Sequence, residues 1–299
     1  MMVERAPVPD SDRPALVADT TSYLPPELLE RHDVHLVSLY VGLEGDQRRE
    51  SDELADLDGF YERLRMSEEA VTTSQPSVGD FLSVYEPLVA DGREVVSIHL
   101  SAGISGTYES ALQARDRLVS QGKGGERIHV YDSRSGCGGM GLVLLSAAKA
   151  IEAGGSAQEA IAKADRGRDE MQMWFAVDTL DYLRRGGRIG AARAWIGSTL
   201  RVKPILTLED EITPVERVRT RARVLDRLAD YAQRRHDDGY DGWVVQHVQD
   251  PEAAENLVES GKEIFGCDPV FCSEIGPVIG AHVGPGLLGI GSLSRELVA

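Results

Sequence analysis

The stretch from Val95 to Tyr108 constrains the fold more than any other. An apolar run, Val95-Val96-Ser97-Ile98-His99-Leu100, ends in small residues and hydroxyls, Ser101-Ala102-Gly103-Ile104-Ser105-Gly106-Thr107, and an amphipathic segment, 108–118, follows. This pattern reads as a strand, a tight loop and a helix N-terminus. The glycines let the backbone turn and approach a ligand closely. The hydroxyls of Ser101, Ser105 and Thr107, together with the free N–H groups of a first helical turn, suit a carboxylate or phosphate. A buried strand followed by a helix that Ser or Thr merely caps has the same pattern, so this stretch leaves both readings open.

The rest of the chain repeats the alternation. Strands are expected at 15–19, 34–41, 127–131, 173–177, 242–248 and 269–274, with a hairpin formed by 204–208 and 212–218 around Glu209-Asp210-Glu211. Helices are expected from Pro25, then at 60–65, 78–90, 139–153, 157–169, 178–183, 191–200, 220–235 and 252–265. The segment 44–58 is acidic and polar and reads as an exposed loop or hairpin, and 72–77 reads as a polar loop. Alternating strands and helices imply parallel pairing in an α/β layered architecture. The Gly154-Gly155-Ser156 break suggests a division into residues 15–165 and 166–299, preceded by a flexible leader, 1–14. A chain of 299 residues accommodates two such domains.

Composition narrows the function. The formal net charge of −17 argues against a broad nucleic-acid footprint and against simple attraction to an anionic membrane. No apolar run reaches the ~20 residues of a membrane-spanning helix, so an integral membrane protein is not expected. Cys137, Cys267 and Cys272 supply neither a disulfide framework nor a C-x-x-C pair, and no histidine stands at a zinc-ligand spacing. Reduced thiols in the cytoplasm, with no metal and no cofactor, are the expectation.

Three motifs nearly fit known chemistry. Gly136-Cys137-Gly138-Gly139-Met140-Gly141 matches G-x-G-x-x-G, but a long helix, a Gly-Gly break and a second helix follow, where a dinucleotide fold would end its next strand on a ribose-binding acid. Glycines that let a helix pack closely on a sheet are the simpler reading. Val17-Ala18-Asp19-Thr20-Thr21 lacks the second carboxylate of an aspartate-nucleophile phosphatase, so Asp19 reads as a strand-end carboxylate that ties down a loop. Gly103-Ile104-Ser105-Gly106-Thr107 falls one glycine short of a nucleophile elbow.

Six segments stand out in order: Val17-Ala18-Asp19-Thr20-Thr21-Ser22-Tyr23-Leu24-Pro25, Thr73-Ser74-Gln75-Pro76-Ser77, Leu100 to Tyr108, Leu183-Arg184-Arg185-Gly186-Gly187-Arg188-Ile189, Val202-Lys203-Pro204-Ile205-Leu206 and His282-Val283-Gly284-Pro285-Gly286. Together they resemble the DegV family of bacterial lipid-binding proteins, which includes the fatty-acid-binding B subunit of fatty acid kinase. The resemblance spans about 16–290. It implies two α/β domains with a long-chain fatty acid in a tunnel between them, the carboxylate gripped by hydroxyls and a histidine. On this sequence those groups are Thr73, Ser105 with Ser101 and Gly106 beside it, and His282. It also implies that Arg188, Arg219 and Arg221 lie near the tunnel mouth and a surface for an ATP-dependent fatty acid kinase, where guanidinium groups suit an acyl-phosphate. On this reading the chain is a carrier with no chemistry of its own. The alternatives are a serine esterase using Ser105 and His282, a phosphatase using Asp19, and a lipid-sensing regulatory module that docks through its arginines.

Overall fold

The computed structural model describes residues 13–43, 45–67, 71–196 and 202–299. The expected leader lies outside these residues except for its last two, as does the end of the helix expected at 191–200, of which Gly190–Trp195 forms a 3₁₀ helix.

The first half of the chain holds two sheets. Strands β1 (Ala15–Asp19) and β2 (Val34–Val37) belong to one, and β3 (Tyr40–Leu43), β4 (Asp46–Arg49) and β5 (Thr72–Ser74) to the other. Strands β6 (Val95–His99) and β7 (Ile128–Asp132) complete the first sheet, in the parallel order β2-β1-β6-β7. Every residue of β1 and β6 is buried, as an apolar run with both sheet faces covered requires. The expected single strand at 34–41 is therefore two strands in different sheets. The acidic segment after it becomes an antiparallel hairpin with a short helix, Glu50–Glu53, and the polar loop at 72–77 begins as a third strand.

The second half forms one six-stranded sheet. Its strands are β8 (Gln172–Ala176), β9 (Lys203–Leu208), β10 (Ile212–Val218), β11 (Gly242–His247), β12 (Phe271–Glu274) and β13 (Leu288–Leu293), in the order β10-β9-β8-β13-β11-β12. Only β11 and β12 are parallel. The hairpin expected at 204–218 is present as β9 and β10, whereas the final strand, absent from the sequence reading, inserts antiparallel between β8 and β11.

Local signals set the helix boundaries. Ser77 and Asp80 close a capping box at the start of the helix Val78–Ala90, and Ser156 with Glu159 does the same for Ala157–Glu170. The helix Cys137–Glu152 is buried on almost all sides. It packs against β6 of the first sheet and against β11 and β13 of the second. A side chain at Gly138 would meet Val244 at 2.8 Å, so glycine is needed for that close approach.

Candidate functional site

In the first sheet the chain runs from β1 to β2 on one side and reaches β6 on the other. The strand order reverses between β1 and β6, and ligands of open α/β sheets bind off the carboxyl ends of the strands at such a point. Asp19, the last residue of β1, is fully buried there. Its Oδ1 accepts the Thr21 N–H at 3.0 Å, and its Oδ2 accepts the Leu100 N–H at 3.0 Å and lies 3.1 Å from His99 Nδ1. His99 Nε2 in turn is 2.7 Å from the Ser97 hydroxyl, which pairs with Tyr85 at 2.7 Å. This network fixes the start of the loop that follows β6.

Beyond these strand ends lies a cavity whose empty space, open mouth included, amounts to about 960 Å³. One wall comes from the loops after β2, β6 and β7, with Leu39, Leu100 and Ile104 among its residues. The opposite wall is one face of the second sheet. Met173 and Phe175, Val244 and Gln246, and Gly289 and Gly291 each stand two residues apart on β8, β11 and β13, the spacing that puts side chains on a common face. A third wall is the short helix Pro277–Val283, which contributes Val278, Ile279, His282 and Val283.

Most of this lining is aliphatic or aromatic. The polar side chains Thr73, Ser74, Gln75, Ser105, Arg188, Gln246 and His282 come from five short segments. The Thr73 hydroxyl is 2.7 Å from His282 Nε2. Burial, and then the Arg188 charge, push the His282 imidazole down to about 4, so it is neutral at pH 7. Arg188 donates to the Ile104 carbonyl at 3.2 Å and to the Gly186 carbonyl at 2.9 Å. Among the described residues no carboxylate pairs with it, whereas Arg184 and Arg223 face Asp181 and Asp226. Ser105 lines the cavity with its hydroxyl 2.9 Å from that of Thr107. The arrangement offers an anion hydroxyls, a neutral imidazole and one guanidinium, beside a long apolar surface.

The structure thus brings Thr73, Ser105, His282 and Arg188 to one cavity. Ser101 and Gly106 do not line it. The Ser101 hydroxyl is buried and donates to the Asp210 carbonyl at 3.1 Å, stitching the loop to the β9–β10 hairpin. Gly106 is the residue before the helix Thr107–Ser120 and gives it no side-chain cap. Arg219 is exposed, and Arg221 is bound to Asp250 and to the Gly286 carbonyl at 3.0 Å; neither lines the cavity. Sequence reasoning placed Arg188 with the docking arginines, and it lines the cavity wall. It gave no role to Gln75 or Gln246. The Gln246 amide is spent on the Gly138 N–H and, at 2.9 Å, on the Ser273 hydroxyl, so it presents little free polarity to the cavity.

The DegV family profile matches residues 13–295. The chain belongs to the DegV family. Protein DegV of Bacillus subtilis is 38% identical over 284 residues, covering 92% of this chain and 97% of that protein. Among solved structures, DegV of Bacillus subtilis, described as a fatty acid binding protein, superposes with a TM-score of 0.83 at 34% identity over 95% of this chain and all of that one. A DegV family protein from Thermus thermophilus, described by its fatty acid binding, gives 0.81 at 31% identity, covering 94% and 99%. A stearic acid-binding protein from Eubacterium ventriosum gives 0.86 at 27%, covering 94% and 98%. Among the described residues of this DegV family chain, no helix is long and apolar enough to cross a membrane.

Proposed function

We propose that this chain binds a long-chain fatty acid in the cavity, its carboxylate at Thr73, Ser105, His282 and Arg188 and its acyl chain along the second sheet. The observation that carries this reading is the cavity itself: apolar walls over most of its surface, with neutral donors and one unpaired guanidinium among its few polar residues. A buried carboxylate must be hydrogen-bonded or its desolvation is prohibitive, and each methylene taken out of water contributes about 0.8 kcal/mol. The fatty acid binding of the DegV relatives supports the same ligand class. In this reading the chain is two units that divide near residue 165, with the ligand held where they meet.

The chain is a carrier that presents the carboxylate to a separate ATP-using kinase in the cytoplasm, which converts it to an acyl-phosphate. The guanidinium of Arg188 would donate hydrogen bonds to the added phosphate oxygens. The cavity favours a carrier over an esterase because Ser105 is bonded to Thr107 and His282 to Thr73, so no base is poised on the serine.

The decisive test is native mass spectrometry of the protein purified from cells, followed by lipid extraction. A stoichiometric long-chain fatty acid is expected. A protein that arrives empty and takes up no added fatty acid overturns the reading. Hydroxylamine trapping of acyl-phosphate, with candidate kinases and ATP added to the loaded protein, then tests the presentation step.

A further inference from the structure

The helix Pro277–Val283 is a cavity wall, yet side chains from the first half of the chain hold its first turn. Glu50 Oε1 accepts the Val278 N–H at 2.8 Å and the Tyr23 hydroxyl at 2.7 Å, and Glu50 Oε2 accepts from the Thr20 hydroxyl. The Tyr23 oxygen also accepts the Ile279 N–H at 3.2 Å. Tyr61 donates to the Ile275 carbonyl at 2.6 Å. The elements pack so closely that a side chain at Gly276 would meet Tyr23 and Leu54 at 2.6 Å and Glu50 at 3.1 Å. Four of the seven residues of this helix line the cavity, His282 among them.

Glu50 is 0% exposed. Among the described residues no cation pairs with it. The titratable groups that face it are Asp19 and Tyr23 from the end of β1 and the turn beyond it, Tyr61 from the helix Leu57–Met66, and Cys137 from the helix between the sheets. None of the four is a cation, and although the Thr20, Tyr23 and Val278 donors favour a carboxylate, full burial opposes one more strongly. A protonated carboxyl fits the same partners: its carbonyl oxygen accepts from Val278 and Tyr23, and its O–H donates to Thr20.

We propose that Glu50 is a positioning residue for the cavity: it clamps the helix that carries Val278, Ile279 and His282, and placing a negative charge on it loosens the clamp. A buried carboxylate that no cation compensates costs more than its protonated form. In agreement, burial pushes the Glu50 carboxyl up to about 7. The clamp is therefore tight at mildly acidic pH and slackens as pH rises through neutrality. For a ligand walled in by this helix, slackening speeds exchange. That last step rests on the fatty acid reading above, whereas the clamp does not.

Two readouts separate the two ideas. The first is stopped-flow release of cis-parinaric acid, a fluorescent polyene fatty acid, between pH 5.5 and 8.5. Wild-type release is expected to accelerate about tenfold across this range, whereas Glu50→Gln, which keeps the acceptor and cannot ionise, holds the slow acidic rate throughout. The second needs no ligand. Cys137 is buried in the cavity wall, so its alkylation by iodoacetamide, followed by peptide mass spectrometry, reports opening. The wild-type to Glu50→Gln ratio of alkylation rates is expected to rise with pH. A ratio that stays constant with pH overturns the proposal, as does a Glu50→Gln release profile that matches the wild type. If the polyene does not bind, the fatty acid reading fails and the alkylation ratio alone decides the clamp. Should Glu50→Gln not fold, a ¹³C titration of the wild-type Glu50 carboxyl replaces it. A midpoint near 7 that coincides with the rise in Cys137 alkylation supports the proposal, and a carboxyl titrating with the surface glutamates overturns it.

Discussion

Two histidines, His99 at the end of β6 and His282 in the cavity wall, have opposite surroundings. His99 is completely enclosed: one ring nitrogen faces the Asp19 carboxylate, the other the Ser97 hydroxyl, and the ring meets Phe81 edge-on at 5.1 Å. Every polar atom of that ring is spent inside the protein. His282 borders the cavity, bonds one neutral hydroxyl, and has a cation, Arg188, where His99 has an acid. A buried histidine paired with a carboxylate holds backbone in place. One beside an arginine, in the wall of a cavity, meets the needs of the carboxylate site proposed above. Residue type and burial alone do not distinguish the two; the sign of the neighbour and the state of the second nitrogen do.

The sharpest way to break this contrast is to remove the structural acid. Asp19→Ala leaves the Leu100 N–H and His99 without their acceptor, and breaking a buried pair of this kind costs ~3–5 kcal/mol. Urea denaturation should show that loss, and a change below 1 kcal/mol would mean that the network is not structural. On the other side of the comparison, Thr73→Val should leave the urea midpoint nearly unchanged, and His282→Ala should lower it less than Asp19→Ala does. Each should weaken fatty acid affinity by about 10- to 100-fold, the worth of one hydrogen bond to a charged acceptor. Isothermal titration calorimetry reads this directly. Arg188→Met should weaken binding and flatten its salt dependence, and unaltered affinity in all three variants would remove the proposed carboxylate site.

A subtler test uses pH. A neutral His282 with its folded value near 4 contributes stability above the usual histidine value of 6.5, and that stability is lost as pH falls toward 4. Glu50 has the opposite sign. Its raised value means that stability present below the usual 4.5 is lost as pH rises toward 7. Between about 4.5 and 6.5 the two slopes oppose, so the wild-type stability profile should be flatter there than that of Glu50→Gln, in which stability should climb with pH. The smallest effect belongs to the surface. Arg219→Glu should change stability by no more than ~0.5 kcal/mol and leave fatty acid affinity alone, and a measurable loss of binding would show that the site extends beyond the cavity wall.

Some of this was legible in the sequence and some was not, for physical reasons. The strand, loop and helix at 95–120 were readable because an apolar run and a glycine-rich loop are local signals. So was Asp19 as a strand-end tie. Ser105 stood out by its place in that glycine-rich loop, whereas Thr73 and His282 were reached through family resemblance, since nothing local separates them from other hydroxyls and histidines. Glu50 was hidden inside Asp46-Gln47-Arg48-Arg49-Glu50-Ser51-Asp52-Glu53, a run whose other charges are largely solvated. Its burial depends on Val278 and Tyr23, partners that only the tertiary fold supplies. The antiparallel second sheet was missed because β13 lies in a glycine-rich stretch with weak strand propensity, and because strand direction is set by connections between elements.

The helix Cys137–Glu152 lies between the two large sheets and touches both. Because one rigid rod belongs to both cores, the halves cannot swing apart like a clamshell without unpacking it. If the cavity holds a fatty acid as proposed, that ligand is exchanged through small displacements at the rim while the frame stays assembled, and loading registers as local changes around 275–283 more than as a change in overall shape.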